Sequence, residues 1–445
     1  MAIPPMTGHE IRRRFLEHFA SREHLILPSA PLVPQGDPTT LFNSAGMQPL
    51  QPYYRGLEEP PAPRLASAQK CLRTDDIEEV GRTDRHLTFF EMMGNFAPTG
   101  DYFKARAIPW AWELVTGPFG IPAARLRVTT HPTDEEARRI WIEAVGVPAE
   151  WVHQDPTNWW GLERGPCGAD SELWYDRGPE HGCGRPEPEC RPDHCGRFVE
   201  IWNLVFPEFD RQADGSLPPL PRPAVDTGMG LERMASVLQG ADTVFETDLL
   251  APLVAFAADA REGRGLSQRV VADHLRAMTF LIADGVLPGN EGRGYVLRRL
   301  IRRAVLHARR TGMRGTVAAG AGIAVDLVKD QYPELDQRRR LIEEAVAAES
   351  DRFGRTLEEG MELFERVAAR HGQMIPGEEA FKLHDTFGFP IDLTRELAQE
   401  QSLSVDMEAF EAAMAAQRAR SRSPFSGPWD EVREMPRSEF VGYRD

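Results

Sequence analysis

Near residue 246 the chain changes texture, and that change limits its architecture more than any other feature. From about 65 to 245, short β-prone runs alternate with turns and one helical stretch. The runs include His86-Leu87-Thr88-Phe89-Phe90, Leu126-Arg127-Val128-Thr129-Thr130 and residues 198–209. After 246, apolar residues recur at helical spacing over 267–284, 294–311, 336–371 and 405–421. Strands grouped first and helices second predict an α+β fold: an antiparallel sheet flanked by helices, followed by an all-helical domain. A further amphipathic helix is expected over 7–24, ended by the proline-rich stretch 27–38. The expected domains are 1–245, 246–422, and a linker with a β-prone stub over 423–445. That stub, Ser438-Glu439-Phe440-Val441-Gly442-Tyr443, reads as the start of a further domain.

Hydrophobic residues at 41% and charged residues at 27% exclude wholesale disorder. The formal charge of -16 argues against a nucleic-acid partner if it is spread evenly. It is not. Residues 291–314 hold eight arginines against one glutamate, a local charge of +7. Leu297, Leu300, Ile301, Ala304 and Val305 share one helical face, and Arg298, Arg299, Arg302, Arg303, Arg309 and Arg310 crowd the others. Such a helix suits a phosphate backbone; a solvated face paired with the acidic helix over 336–371 explains it as simply. No apolar run approaches the roughly 18 residues that span a bilayer, so no membrane partner is expected. The first residues lack a basic-then-apolar signal, and five cysteines, an odd number, set no disulfide framework. A cytoplasmic location follows as the expectation.

Three segments carry chemistry. Val225-Asp226-Thr227-Gly228-Met229-Gly230-Leu231-Glu232-Arg233 reads as a strand with glycines on alternate positions that opens a helix on a Glu-Arg pair. Glycines permit close backbone approach, and arginine offers a planar fork for phosphate or a base; structural glycines in a strand are the plainer reading. Leu72-Arg73-Thr74-Asp75, a short loop, then His86-Leu87-Thr88-Phe89-Phe90-Glu91 forms a credible ATP clamp, with Arg73 on the α-phosphate and a phenylalanine under adenine. A hairpin with core phenylalanines is the alternative. Between them, His181, Cys183, Cys190, His194 and Cys195 lie among glycines and prolines and can close a tetrahedral zinc site, although the spacing is not a standard finger. Incidental thiols on a surface insertion would look the same.

Taken together, these segments resemble the signature motifs of class II aminoacyl-tRNA synthetases. The strings TFFEMMGNF, GDYFK, GPCG, EIWNLVF, VDTGMGLER, FLIADGVLPGNEGRGYVLRR and DTFGFPIDLT, in that order, resemble the alanyl-tRNA synthetase family along nearly the whole chain. The resemblance implies a ligase that uses ATP and Mg2+ to form alanyl-adenylate, then loads the 3′-terminal adenosine of tRNA(Ala). It implies that Arg73 and Arg233 stabilise the reacting phosphates. Asp75, His86 and Phe90 would complete the ATP site. L-alanine would be held by Asp226 on its ammonium, with Asn203, Gly228 and the wall Trp160. Asn290 and Asp385 match residues that read an acceptor-stem G·U pair, beside Arg293, Arg298 and Arg302.

Some positions depart from the pattern. The loop after Arg73 is short, and Lys70 precedes the arginine. Leu87 stands where a second histidine is usual, and GPCG is followed by Ala169-Asp170-Ser171-Glu172 where many relatives have a second cysteine or an asparagine. The resemblance does not require a metal at Cys183, Cys190, His194 and Cys195. Relatives continue into an editing domain, so this chain is read as a fragment without it. A tRNA-binding module that keeps the synthetase fold without catalysis is the rival, opposed by the intact Arg73, Phe90, Asp226 and Arg233.

Overall fold

In the computed structural model, which describes residues 5–35, 40–161, 164–186, 189–258 and 265–422, ten strands form one sheet. They are β1 Leu25–Ile26, β2 Leu65–Leu72, β3 Phe89–Ala97, β4 Leu126–Thr130, β5 Val152–Gln154, β6 Trp159–Gly161, β7 Gly165–Asp176, β8 Phe198–Val205, β9 Phe209–Arg211 and β10 Val225–Gly230. The order is β1-β2-β3-β10-β8-β7-β4-β5, with β6 and β9 also on β7. From β2 through β4 every neighbour is antiparallel. At the edges, β1 joins β2 and β5 joins β4 in parallel. The sheet is therefore mixed, with the antiparallel sheet expected from the sequence as its body.

The period-two alternation of a strand decides which side chains reach the core. Val225 and Met229 of β10, with Trp202 and Leu204 of β8, lie in a core with the helices α1 (Gly8–Ala20), α2 (Lys104–Thr116) and α3 (Leu231–Gln239). In α1, Ile11, Phe15 and Phe19 form the apolar stripe, and the Phe15 ring lies 5.6 Å from Trp202. Asp226, Gly228 and Gly230 of β10 and Asn203 and Val205 of β8 are left on the other face.

Two further helices, α4 (Gly265–Ala283) and α5 (Gly292–Thr311), form a second core with the ends of β2 and β3. Phe89 stacks on Phe280 at 4.0 Å. A buried ionic network ties sheet and helices together. Arg12 donates to both Glu91 oxygens at 2.8 and 2.7 Å, the Tyr332 hydroxyl donates to Glu91 at 2.8 Å, and Arg276 meets Glu232 at 2.5 Å. Burial alone would raise the Glu91 carboxyl, but Arg12 and Arg276 hold it below its ordinary range. One compact unit accordingly runs to Arg352 and a second begins at Phe353, inside the long helix α6 (Arg339–Arg370). The change of texture at 246 marks where the ten-stranded sheet has ended; the first compact unit continues through the helices that follow.

The second unit contains α7 (Gly377–Phe387), α8 (Ile391–Glu400), α9 (Met407–Arg422) and the parallel pair β11 (Met374–Ile375) and β12 (Ser404–Val405). A Cβ on Gly360 would fall 2.2 Å from the Phe389 ring, so the absence of a side chain there lets Phe389 pack on the α6 backbone. The stub over 423–445 lies outside the described residues. Among those described, no helix is long and apolar enough to cross a membrane.

Candidate active site

On the face of the sheet opposite α1, a cavity of about 240 Å³ is lined by residues of β3, β8, β10 and the loop before β3. Cross-strand register lines up its floor. Asp226 pairs with Val205, which pairs with Asp170; Gly228 pairs with Asn203, which pairs with Glu172. Gly228 leaves room for Met92: a Cβ there would fall 2.8 Å from the Met92 sulfur that lines the same cavity, so that side chain would have to shift.

At one end of the cavity, Arg73 follows β2, its backbone N–H bonded to Thr88 O at 2.9 Å and its Nε to Ser44 O at 3.2 Å. Its guanidinium lies over the Phe90 ring at 5.0 Å. The adjacent phenylalanines divide their tasks: Phe89 is buried against Phe280, while Phe90 lines the cavity. Across from them, Arg233 lies in the first turn of α3, where a cation opposes the helix dipole. Glu200 of β8 offsets this with an ion pair of 2.7 Å. His86 lines the cavity with its Nδ1 2.8 Å from the Thr83 hydroxyl, and burial pushes the imidazole below its ordinary value. Asp75 does not line the cavity. It is exposed in the short 3-10 turn Asp75–Glu78, and that turn presents Asp76 to the cavity instead.

At the other end the walls are Trp160 and Met92 and the polar groups are carboxyls. Burial raises Asp226 to about 8. Asp170 rises to about 7 through burial, and Glu172 to about 8 through burial and the neighbouring Glu200 and Asp170. Asn203 bridges them, its Nδ2 lying 3.3 Å from Asp170 and 3.5 Å from Glu172. The Asn203 carbonyl oxygen is buried and unpaired, so the cavity holds an acceptor that wants a donor. A group of buried acids around an orphan acceptor suits a small cation with N–H donors.

The cavity thus combines an arginine-and-aromatic end with an acidic end, and the sequence from residue 10 to 444 matches the family description of the class II (A) tRNA synthetases. The chain belongs to that family. It is 47% identical over 432 residues to an alanine–tRNA ligase of Desulforamulus reducens, a match covering 94% of this chain and 49% of that one. To an alanine–tRNA ligase of Desulforudis audaxviator it is 48% identical over 433 residues, with the same coverage of 94% and 49%. The chain therefore spans about half the length of these curated relatives. Among solved structures, a pyrrolysyl-tRNA synthetase of Desulfitobacterium hafniense is similar at a TM-score of 0.30 and 13% identity, covering 54% of this chain and 70% of that one.

Of the site residues expected from the synthetase motifs, Arg73, His86, Phe90, Trp160, Asn203, Asp226, Gly228 and Arg233 all line the one cavity. Sequence reading missed Asp76, Arg85, Met92, Glu172 and Glu200 in the lining, and Asp170 behind Asn203. Glu172 and Asp170 had a visible signal, because they stand where the GPCG segment departs from the family pattern. Glu200 had only its place three residues before Asn203.

The predicted RNA-binding residues fare differently. Asn290 is exposed and accepts a hydrogen bond from Arg298. Arg293 is tied to the Leu41 and Thr40 carbonyls at 2.6 and 3.1 Å. Arg302 does not face outward as expected: it is 9% exposed and donates to Glu349 of α6 at 2.8 and 2.5 Å. The acidic helix neutralises this part of the basic one. Asp385, in the second unit, is exposed and accepts from Gln417. Of the four candidate zinc ligands, Cys183, Cys190 and Cys195 converge, whereas His194 is exposed and accepts from Arg191 Nε at 3.0 Å.

Proposed function

We propose that this chain activates L-alanine with ATP and loads it onto the acceptor end of tRNA(Ala). The observation that carries the reading is the meeting of Arg73, Phe90, Asp226 and Arg233 in one cavity. The alanine carboxylate attacks the α-phosphorus in line, the bond to the β-phosphate oxygen breaks, and pyrophosphate leaves. Arg73 and Arg233 neutralise the charge that accumulates on the phosphates, and Phe90 supports the adenine. Asp226 in its ionised form pairs with the ammonium, and the Asn203 carbonyl accepts from it. Trp160 and Met92 limit the side chain. The 3′-terminal ribose hydroxyl of the tRNA then attacks the carbonyl carbon and AMP departs. Positioning and charge stabilisation supply the rate, with no protein nucleophile.

Asp76 and Glu200 at the cavity would offer hard carboxylate oxygens to an Mg2+ ion bound with the triphosphate. It would supply further neutralisation of the phosphates. Asn290 and Asp385 are the residues for the G·U pair: an amide and a carboxylate suit a guanine amino group exposed in the shallow groove of A-form RNA. On the first unit, Arg293 and Arg298 would accompany Asn290. The reaction belongs in the cytoplasm, with the tRNA pool.

Alanine-dependent exchange of labelled pyrophosphate into ATP is the test. Exchange with alanine, and much less with valine or leucine, supports the reading. A folded chain with no exchange overturns it and leaves a tRNA-binding module. Charging of an acceptor-stem minihelix that carries G·U, lost when the pair becomes G·C, tests the partner.

A further inference from the structure

The connection between β7 and β8, residues 177–197, is long for a loop in a compact domain, and its only described helical element is the turn Pro179–His181. Loops of more than about 12–15 residues need something to hold them. Among the described residues, a small apolar cluster of Trp174, Cys190 and Phe198, with Cys195 against it, sits at its base. Three cysteines of this loop nevertheless bring their sulfurs together, all within 4.8 Å of one another. Cys190 Sγ and Cys195 Sγ are 3.6 Å apart. Tetrahedral zinc–sulfur bonds of about 2.3 Å put neighbouring sulfurs roughly 3.8 Å apart, whereas a disulfide needs about 2.05 Å. The separation matches a metal centre. Positive charge is also at hand: Arg197 lies on the same loop, held to Asp176 by hydrogen bonds of 2.7 and 2.6 Å.

We propose that Cys183, Cys190 and Cys195 bind a zinc ion that clips the β7–β8 connection shut. Three thiolates fill three tetrahedral positions, and binding releases their protons. His194, paired with Arg191, is left outside the set, and the fourth position goes to water. The clip stands at the Asp176–Phe198 end of the hairpin, and the same two strands carry Glu172 opposite Asn203 further along. Zinc thereby fixes the register of the strands that floor the acidic end of the cavity.

The test uses the full chain, loaded with zinc under reducing conditions and dialysed. Elemental analysis is expected to find one zinc per chain, and Cys183→Ser and Cys195→Ser to lose it. Cobalt in its place should give the intense thiolate charge-transfer absorption of a tetrahedral site. His194→Ala is expected to keep the metal. Chelation should expose three thiols to a colorimetric reagent and speed proteolytic cleavage within 177–197, with the rest of the chain still resistant. Circular dichroism of Cys183→Ser, whose side chain is exposed, separates loss of metal from loss of fold. A folded chain that holds no zinc, or a Cys190–Cys195 disulfide found by mass spectrometry in its place, would overturn the proposal. So would full zinc occupancy in Cys195→Ser.

Discussion

Asp226 lies on a strand, nine-tenths covered, with its carboxyl raised to about 8. A carboxyl raised on folding binds its proton more tightly in the folded chain than in the unfolded one. The stability it contributes is present at low pH and is lost as pH rises through the folded value. A bound ammonium reverses the balance, since it favours the ionised form. Amino-acid binding should therefore tighten with pH, by roughly a hundredfold between about pH 6 and pH 9 if this group alone titrates. Calorimetric titration across that range checks it. Asp226→Asn should bind weakly and without the pH slope; a flat profile in the parent chain would be contrary. Glycines separate two kinds of constraint at the same scale. A methyl at Gly228 meets the flexible end of Met92, whereas one at Gly94 meets the Thr227 carbonyl at 2.4 Å. Gly228→Ala should cost about 1 kcal/mol or less in denaturant unfolding and raise the KM for the amino acid, while Gly94→Ala should cost about 3 kcal/mol or more.

Helix α5 illustrates what patterning specifies at the scale of an element. Its apolar face predicts a helix over 294–311, and the helix runs Gly292–Thr311. The same pattern assigns the arginines only to the remaining faces, and it cannot say that Glu349 of another helix waits opposite Arg302. Arg302→Ala should accordingly destabilise the chain by about 1–3 kcal/mol, because the buried Glu349 loses its shortest partner and keeps only the longer pairs with Arg298 and Arg352 at 3.3 and 3.7 Å. The salt dependence of tRNA binding should be unchanged, and a slope reduced by about one would assign Arg302 to the RNA after all. The β-prone run over 86–90 is only partly a strand, since β3 begins at Phe89 and continues to Ala97, and period two alone does not tell which phenylalanine, 89 or 90, meets a helix core that lies far away in sequence. Asp75 and Asp76 are a similar case: adjacent residues in a 3-10 turn differ by about a third of a turn, and the sequence leaves the phase open. The acids Glu172 and Glu200 were missed because a lone carboxylate in a strand has no periodic signal. Only the register of β7, β8 and β10 brings Glu172 into line with Asn203 and Gly228.

For the whole molecule, the -16 charge is reconciled with an RNA partner less by one free cationic helix than expected, since part of that helix is neutralised internally. What joins sheet and helices in the first unit is the buried set Arg12, Glu91, Tyr332, Arg276 and Glu232. Glu91→Ala would strand Arg12 in the interior, leaving Arg276 only its pair with Glu232, and should cost about 3–5 kcal/mol, read as a fall in the denaturation midpoint. Because Glu232 precedes Arg233 on α3, this loss should also loosen the ATP end of the cavity. The central claim is that one cavity unites an arginine end that stabilises leaving pyrophosphate with an acidic end that holds an ammonium. It is tested most directly by single-turnover formation of alanyl-adenylate, comparing the parent chain with Arg73→Ala. The account predicts adenylate in the parent and a rate lower by about 10²–10³-fold in the variant, with the fold intact by circular dichroism. Equal rates in the two proteins would contradict it.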